Sequence, residues 1–123
     1  GLLASYYAAT GVTDTVLCPV VMKEFYGWFS AQTVQNVGTL ATDVTITYAN
    51  GMTRSFAGID PNETVNIIEL TNAGSILPAT SSLAATITSS NGQPLVAVVQ
   101  ENSDTRYTQA AGDYLLSYTC SNR

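Results

Sequence analysis

The chain has 123 residues, a length that fits one domain, and sets four cationic side chains against nine acidic ones for a net charge of -5. Lys23, Arg54, Arg106 and Arg123 form no basic stripe that could neutralise phosphates, so neither nucleic acid nor an anionic membrane surface is expected as a partner. Only 11 % of residues are charged and none is histidine, which removes the commonest general base and metal ligand and leaves polar surface to Thr, Ser, Asn and Gln, residues that suit strands.

In chain order, Gly1-Leu-Leu-Ala-Ser-Tyr-Tyr-Ala-Ala-Thr-Gly11 carries no charged side chain and is apolar on both faces of any strand it forms. Thr15–Met22 is an apolar run broken by Pro19, which predicts an edge strand or a bulge. Trp28–Val37 alternates loosely and stops at Gly38. Thr42–Tyr48 and Met52–Phe56 alternate on either side of Asn50-Gly51, a pair that predicts a hairpin with a type I′ turn. Glu63–Leu70 follows the turn Ile59-Asp-Pro-Asn62, and residues 71–82 read as a crossover holding one short helical turn. Leu83–Ser89 leads through Asn91-Gly92 into Pro94–Gln100, which is apolar on both faces and so predicts a central strand. Asp113–Cys120 closes the domain.

Short strands separated by regular turn signals predict an all-β fold, an Ig-like antiparallel β-sandwich of about eight strands, with a barrel as the competing arrangement. Residues 1–12 form an N-terminal arm, an extension strand, and residues 13–123 form the single sandwich domain. No run approaches the length of apolar residues that a membrane helix needs, so no membrane insertion is expected.

Two cysteines, Cys18 and Cys120, are too few and too distant for a structural zinc site. Paired, they would close a loop of about 100 residues and contribute roughly 4–5 kcal/mol by chain-entropy arithmetic; buried free thiols are the alternative. A disulfide goes with an oxidising compartment, and the chain opens on Gly1 rather than Met, as a processed exported protein would. The expected location is therefore secreted, extracellular or at the cell surface.

An uncharged aromatic arm is an aggregation hazard unless it is covered. It lies along an edge of its own sandwich, completes the edge of a neighbouring copy as a donated strand, or stays disordered. Ten extended residues span about 33 Å, enough for either pairing. Donation from head to tail makes a filament unless the rotation closes a ring. Leu2, Leu3, Ala4, Ser5, Tyr6, Tyr7, Ala8 and Ala9 are the candidate inter-subunit strand, and copies of the chain itself are the expected partner.

Cys18-Pro-Val-Val-Met-Lys-Glu-Phe-Tyr-Gly-Trp28, Val34-Gln-Asn-Val-Gly38, Ala41–Tyr48 and Gln93-Pro-Leu-Val-Ala-Val-Val-Gln100 together resemble a β-sandwich module of exported bacterial surface proteins, particularly those of Chloroflexus-like bacteria. The likeness covers roughly residues 17–101 and implies a surface location with a structural or adhesive role and no catalytic residues. The arm and last strand lie outside it. They bear only a looser likeness to surface filament subunits joined by donated strands.

Phe25, Tyr26 and Trp28 form a candidate glycan-binding platform, since rings stack on sugars; the competing reading packs Trp28 in the core with Phe25 and Tyr26 capping the sandwich. Lys23, the sole lysine, invites comparison with amide crosslinks to an Asn, with Asn102 and Glu101 as candidates, but a solvated lysine is the plainer reading. Asp60, Asn62 and Glu63, or Glu101 and Asp104, offer oxygen ligands without the ordered spacing of a calcium loop, so turn formation accounts for them. Asn62-Glu63-Thr64 fits the N-glycosylation sequon, and a Thr- and Ser-rich surface offers sites for O-linked sugars. Without His, a nucleophilic Ser or Thr has only a perturbed Lys23 or a carboxylate as base, and no two carboxylates pair convincingly, so no enzyme, cofactor or metal is expected. The expected function is a filament subunit that donates its N-terminal strand. The alternative is a monomeric secreted adhesion or carbohydrate-binding module.

Overall fold

The alternation of β-branched and small polar residues sets strands along most of the chain. The structure, a computed structural model, describes residues 11–103 and 115–123. Within them lie β1 (Thr15–Lys23), β2 (Trp28–Asn36), β3 (Thr42–Tyr48), β4 (Thr53–Ile59), β5 (Thr64–Ile68), β6 (Ser81–Ser89), β7 (Leu95–Ser103), β8 (Leu115–Thr119) and β9 (Ser121–Asn122). A single 3-10 turn at Thr71–Ala73 sits in the expected crossover between β5 and β6. The strands form two sheets, ordered β4-β3-β6-β1-β9 and β5-β2-β7-β8. Every ladder is antiparallel. The all-β sandwich expected from the sequence is the fold observed, with the last short segment divided between the two sheets.

Pro19 acts as its chemistry requires. The β1–β6 register shifts between Cys18 and Val21, leaving Pro19 and Val20 exposed on a bulge where no ladder needs the missing N–H. The Asn50-Gly51 hairpin is in place, but its turn differs from the expected type I′. Only Gly51 takes a positive φ, of 90°. Gly51 N–H donates to the Tyr48 carbonyl at 2.9 Å and Tyr48 N–H to that of Met52 at 2.9 Å, so the loop has three residues with Gly51 left-handed. Asn50 keeps a negative φ and uses its side chain instead, accepting from Met52 N–H at 3.0 Å.

The core lies between the sheets: Val16 and Val21 of β1, Val34 of β2, Val44 and Ile46 of β3, Ile67 of β5, Ile87 of β6 and Leu95 of β7 are all fully buried. Cys18 and Cys120 are bonded within it, across a separation of 102 residues, which decides between the two readings of the cysteines. β7 is the central strand its sequence implies, paired with β2 on one side and β8 on the other.

At one end of the sandwich the motifs behind the surface-module resemblance meet. Asn36 donates through Nδ2 to the carbonyls of Leu40 and Ile59 and accepts from Gly38 N–H. Gln93 Oε1 accepts from the N–H groups of Thr39 and Leu40, so closely over Gly38 that a Cβ there would lie 2.2 Å from it. The Asn, Gly and Gln of those motifs are thus architectural: they tie the β2–β3 connection to the start of β7.

Candidate functional site

Residues 1–10, which include every position of the candidate inter-subunit strand, lie outside the described residues. What is described is the place where the arm joins the fold. Leu95 N–H donates to the Thr13 carbonyl at 2.9 Å, and Cys120 N–H donates to the Ala97 carbonyl at 2.9 Å, on the same side of β7. Thr13 therefore meets β7 in line with β8, just past the point where Cys120 leaves for the other sheet. The C-terminus closes over it: Asn122 Nδ2 donates to the Leu95 carbonyl at 2.9 Å, and Arg123 N–H to Thr13 Oγ1 at 3.1 Å. Gly11, two residues before Thr13, has a positive φ of 79°. The arm's attachment is thus fixed by hydrogen bonds beside the disulfide and the β8 edge.

Among the described residues the sheets end at four strands: β4, β9, β5 and β8. Two carry features that discourage a further strand. β4 bears Arg54, placed 5.1 Å from the Phe56 ring, and a bulge at its far end. β9 has two residues, and beyond it the β1 edge is sealed by Tyr118, whose hydroxyl donates to the Val20 carbonyl at 2.5 Å and accepts from Val20 N–H at 3.1 Å. β5 follows Pro61 and Glu63, but Thr64–Ile68 itself carries no charge, no proline and no break in its ladder with β2. β8 is likewise uncharged and continuous, with no proline in Leu115-Leu-Ser-Tyr-Thr119 and no break in its ladder with β7, and it lies on the side of β7 where Thr13 anchors the arm. Leu116, Ser117 and Thr119 are exposed.

The aromatic segment forms the opposite end of β1 and β2. Phe25 and Trp28 exchange backbone hydrogen bonds of 2.8 and 3.0 Å around Tyr26-Gly27, whose φ values are both positive, 50° and 89°. The type I′ geometry expected at Asn50-Gly51 occurs here instead. Tyr26 is 76 % exposed and stands edge-on to the Phe25 ring at 4.7 Å. Trp28 is half-buried and stands outside the core, against the reading that packed it inside, because it occupies the first ladder position of β2, opposite Ser103 at the end of β7. The three rings thus share one turn.

Charged residues, by contrast, enter the interior where none was expected. Lys23 is buried and donates to the Leu77 carbonyl, which corrects the reading of a solvated lysine. Its position at the end of β1 places the ammonium under the crossover, where a main-chain acceptor is free. Glu101 is buried and accepts from Ser30 Oγ, which itself accepts from Met22 N–H at 2.7 Å. Asn102 lies on the other face of β7, as successive strand residues must, and donates to the Gln100 carbonyl. Asn102 is therefore not brought to the inner face with Lys23 and Glu101. Glu69, fully buried, accepts from Tyr48 Oη at 2.5 Å, Gln32 Nε2 at 2.8 Å and Ser75 Oγ at 2.6 Å. Burial, reinforced by the Glu69 carboxyl, holds the Tyr48 phenol far above its ordinary range.

Burial also raises the Glu101 carboxyl, with the Ser30 hydrogen bond opposing it. A folded-state value above the unfolded one favours folding below the ordinary carboxylate range and costs stability as pH rises through it. The melting temperature is therefore expected to rise as pH falls from neutral toward the ordinary glutamate range. In Glu101→Gln that slope should be flatter than in the parent chain, as thermal melts across this window would show.

Asn62 is exposed in the β4–β5 turn with φ of 69°, so the sequon asparagine is accessible. Glu63 Oε1, beside it, accepts from Asp60 N–H at 2.8 Å, the turn-forming part expected of this cluster. Asp104 lies outside the described residues. No group of three or more potential metal-ligating side chains occurs among the described residues, and no helix there is long and apolar enough to cross a membrane.

No protein-family model matches the chain, and no curated protein matches it. The fold is similar to that of a solved structure, Thermotoga maritima 1070, with a TM-score of 0.62 over 92 % of this chain and 97 % of that one. At 12 % identity this likeness is one of fold. It supports the two-sheet architecture and leaves activity open.

Proposed function

We propose that the protein is a non-catalytic, extracellular structural subunit whose N-terminal arm is donated to a neighbouring copy, building a filament. One observation carries the reading. An uncharged arm joins the fold at a hydrogen-bonded anchor, outside the Cys18–Cys120 loop and next to β8, whose outer edge no strand among the described residues covers. Buried within a partner, the arm's Leu and Tyr side chains leave water, which is favourable at about 25 cal/mol per Å² of apolar surface. The buried disulfide supports an oxidising, hence exported, setting. Sedimentation tests the assembly: the full chain runs as large, polydisperse species and a chain lacking residues 1–10 runs as a monomer. A monomer in both cases refutes it.

A second reading rests on the β1–β2 turn. An aromatic residue at positive φ is strained, and Tyr26 is held so, largely exposed, edge-on to the Phe25 ring. That arrangement suits stacking on a sugar ring, as in an adhesive module. It also accommodates a filament subunit that binds glycans through its tips.

A further inference from the structure

We infer that the edge receiving the donated arm is the outer side of β8, Leu115–Thr119; this rests on the filament reading above and names its acceptor. The direction of the backbone groups comes first. Cys120 N–H points to β7, and N–H groups alternate along an antiparallel strand, so those of Ser117 and Thr119 point away from β7. The outer edge thus offers donors and acceptors in the spacing a further strand needs, and no described strand takes them.

Chemistry agrees with position. The arm and β8 are both free of charged residues, whereas β4 carries Arg54 and β9 is followed by Arg123; β5 is uncharged too, but only β8 lies on the side of β7 where the arm is anchored. An uncharged strand set against an uncharged edge leaves no charge to desolvate. Exposed Leu116 supplies apolar surface that an arriving Leu or Tyr would cover. Five residues of β8 span roughly 17 Å, well within the roughly 33 Å of an extended ten-residue arm.

Direction favours a neighbour's arm over the chain's own. β8 runs toward the end where Thr13, which follows the arm in sequence, meets Leu95, so an arm folded back onto its own β8 would pair in parallel. An arm from another copy is free to pair antiparallel, with the more stable ladder.

The test uses two complementary chains. Ser117→Pro removes one outward N–H and leaves the β7 ladder intact, since proline is tolerated on an edge strand where its nitrogen faces out. Ser117→Lys is made in parallel as a charged block, and both variants are compared with the parent for melting temperature and for the Cys18–Cys120 bond. The expected result is that each folds but fails to polymerise and that a chain lacking residues 1–10 is also monomeric. Mixing either Ser117 variant with the truncated chain should then give a one-to-one dimer, because one supplies the arm and the other the edge. Folded Ser117 variants that polymerise like the parent would overturn the β8 assignment while the filament reading stands. A mixture that stays monomeric would likewise overturn the assignment. A parent chain that is itself monomeric in the same buffer would remove both.

Discussion

Replacing Cys18 and Cys120 together by alanine should lower stability by about 4.7 kcal/mol if the cross-link acts by restricting the unfolded chain, since the bond spans 102 residues of sequence. The native contribution is the difference between two ensembles. Without the bond the unfolded chain can separate its ends freely, and folding must bring them together. A domain of this size is stable by only about 5–15 kcal/mol in total, so the loss is a large share. The melting temperature should fall by on the order of 15 °C. The bond also ties β1 to the Cys120 crossover beside Thr13, so the anchor of the arm loosens with it. Denaturant unfolding with and without reductant measures the effect. A midpoint that does not move would mean that the sandwich is held by its core alone.

Glu69→Ala is expected to cost about 3–5 kcal/mol, by stranding buried donors. Tyr48 Oη, Gln32 Nε2 and Ser75 Oγ all converge on that carboxyl, and the side chain is shielded from water. Truncation leaves a cavity and three donors without their acceptor, each worth about 1–3 kcal/mol when left unmet in the interior. Glu69→Gln should cost less. Its amide oxygen can still accept from Tyr48 and Gln32, while its NH2 can donate to Ser75, whose hydroxyl accepts as well as donates. Urea titrations of the two variants should show that order, and equal losses would mean that the carboxyl fills space without organising its neighbours. Gln32 Oε1 is buried with no hydrogen-bond partner among the described residues, so this polar cluster carries a cost even in the native chain.

The strands were legible because their signals are local. Thr42–Tyr48 shows strict alternation, and its inward residues Val44, Ile46 and Tyr48 are the buried ones. Pro19 announced the bulge, and the two-sided apolar run of β7 announced its central place. The turn types were less legible. Asn-Gly is compatible with both a two-residue and a three-residue loop, and the choice at Asn50-Gly51 depends on how β3 and β4 pair. The buried charges were missed for a different reason. Lys, Glu and Gln are read as surface residues, yet the alternation Leu95-Ala97-Val99 continues inward to Glu101, and Ile67 continues to Glu69. The signal was the strand's period, outweighed by residue type. Which groups receive those carboxyls comes from other strands, so only the folded chain reveals Ser30, Tyr48 and Gln32 as partners. The disulfide was a choice between two states of the same two residues until their strands were seen side by side.

Electron microscopy of the purified full-length chain, beside a chain lacking residues 1–10, tests the proposed role most directly. Donated-strand assembly predicts fibres from the first and single particles from the second. Single particles from both would contradict it and would turn attention to glycan binding at the Phe25–Trp28 turn.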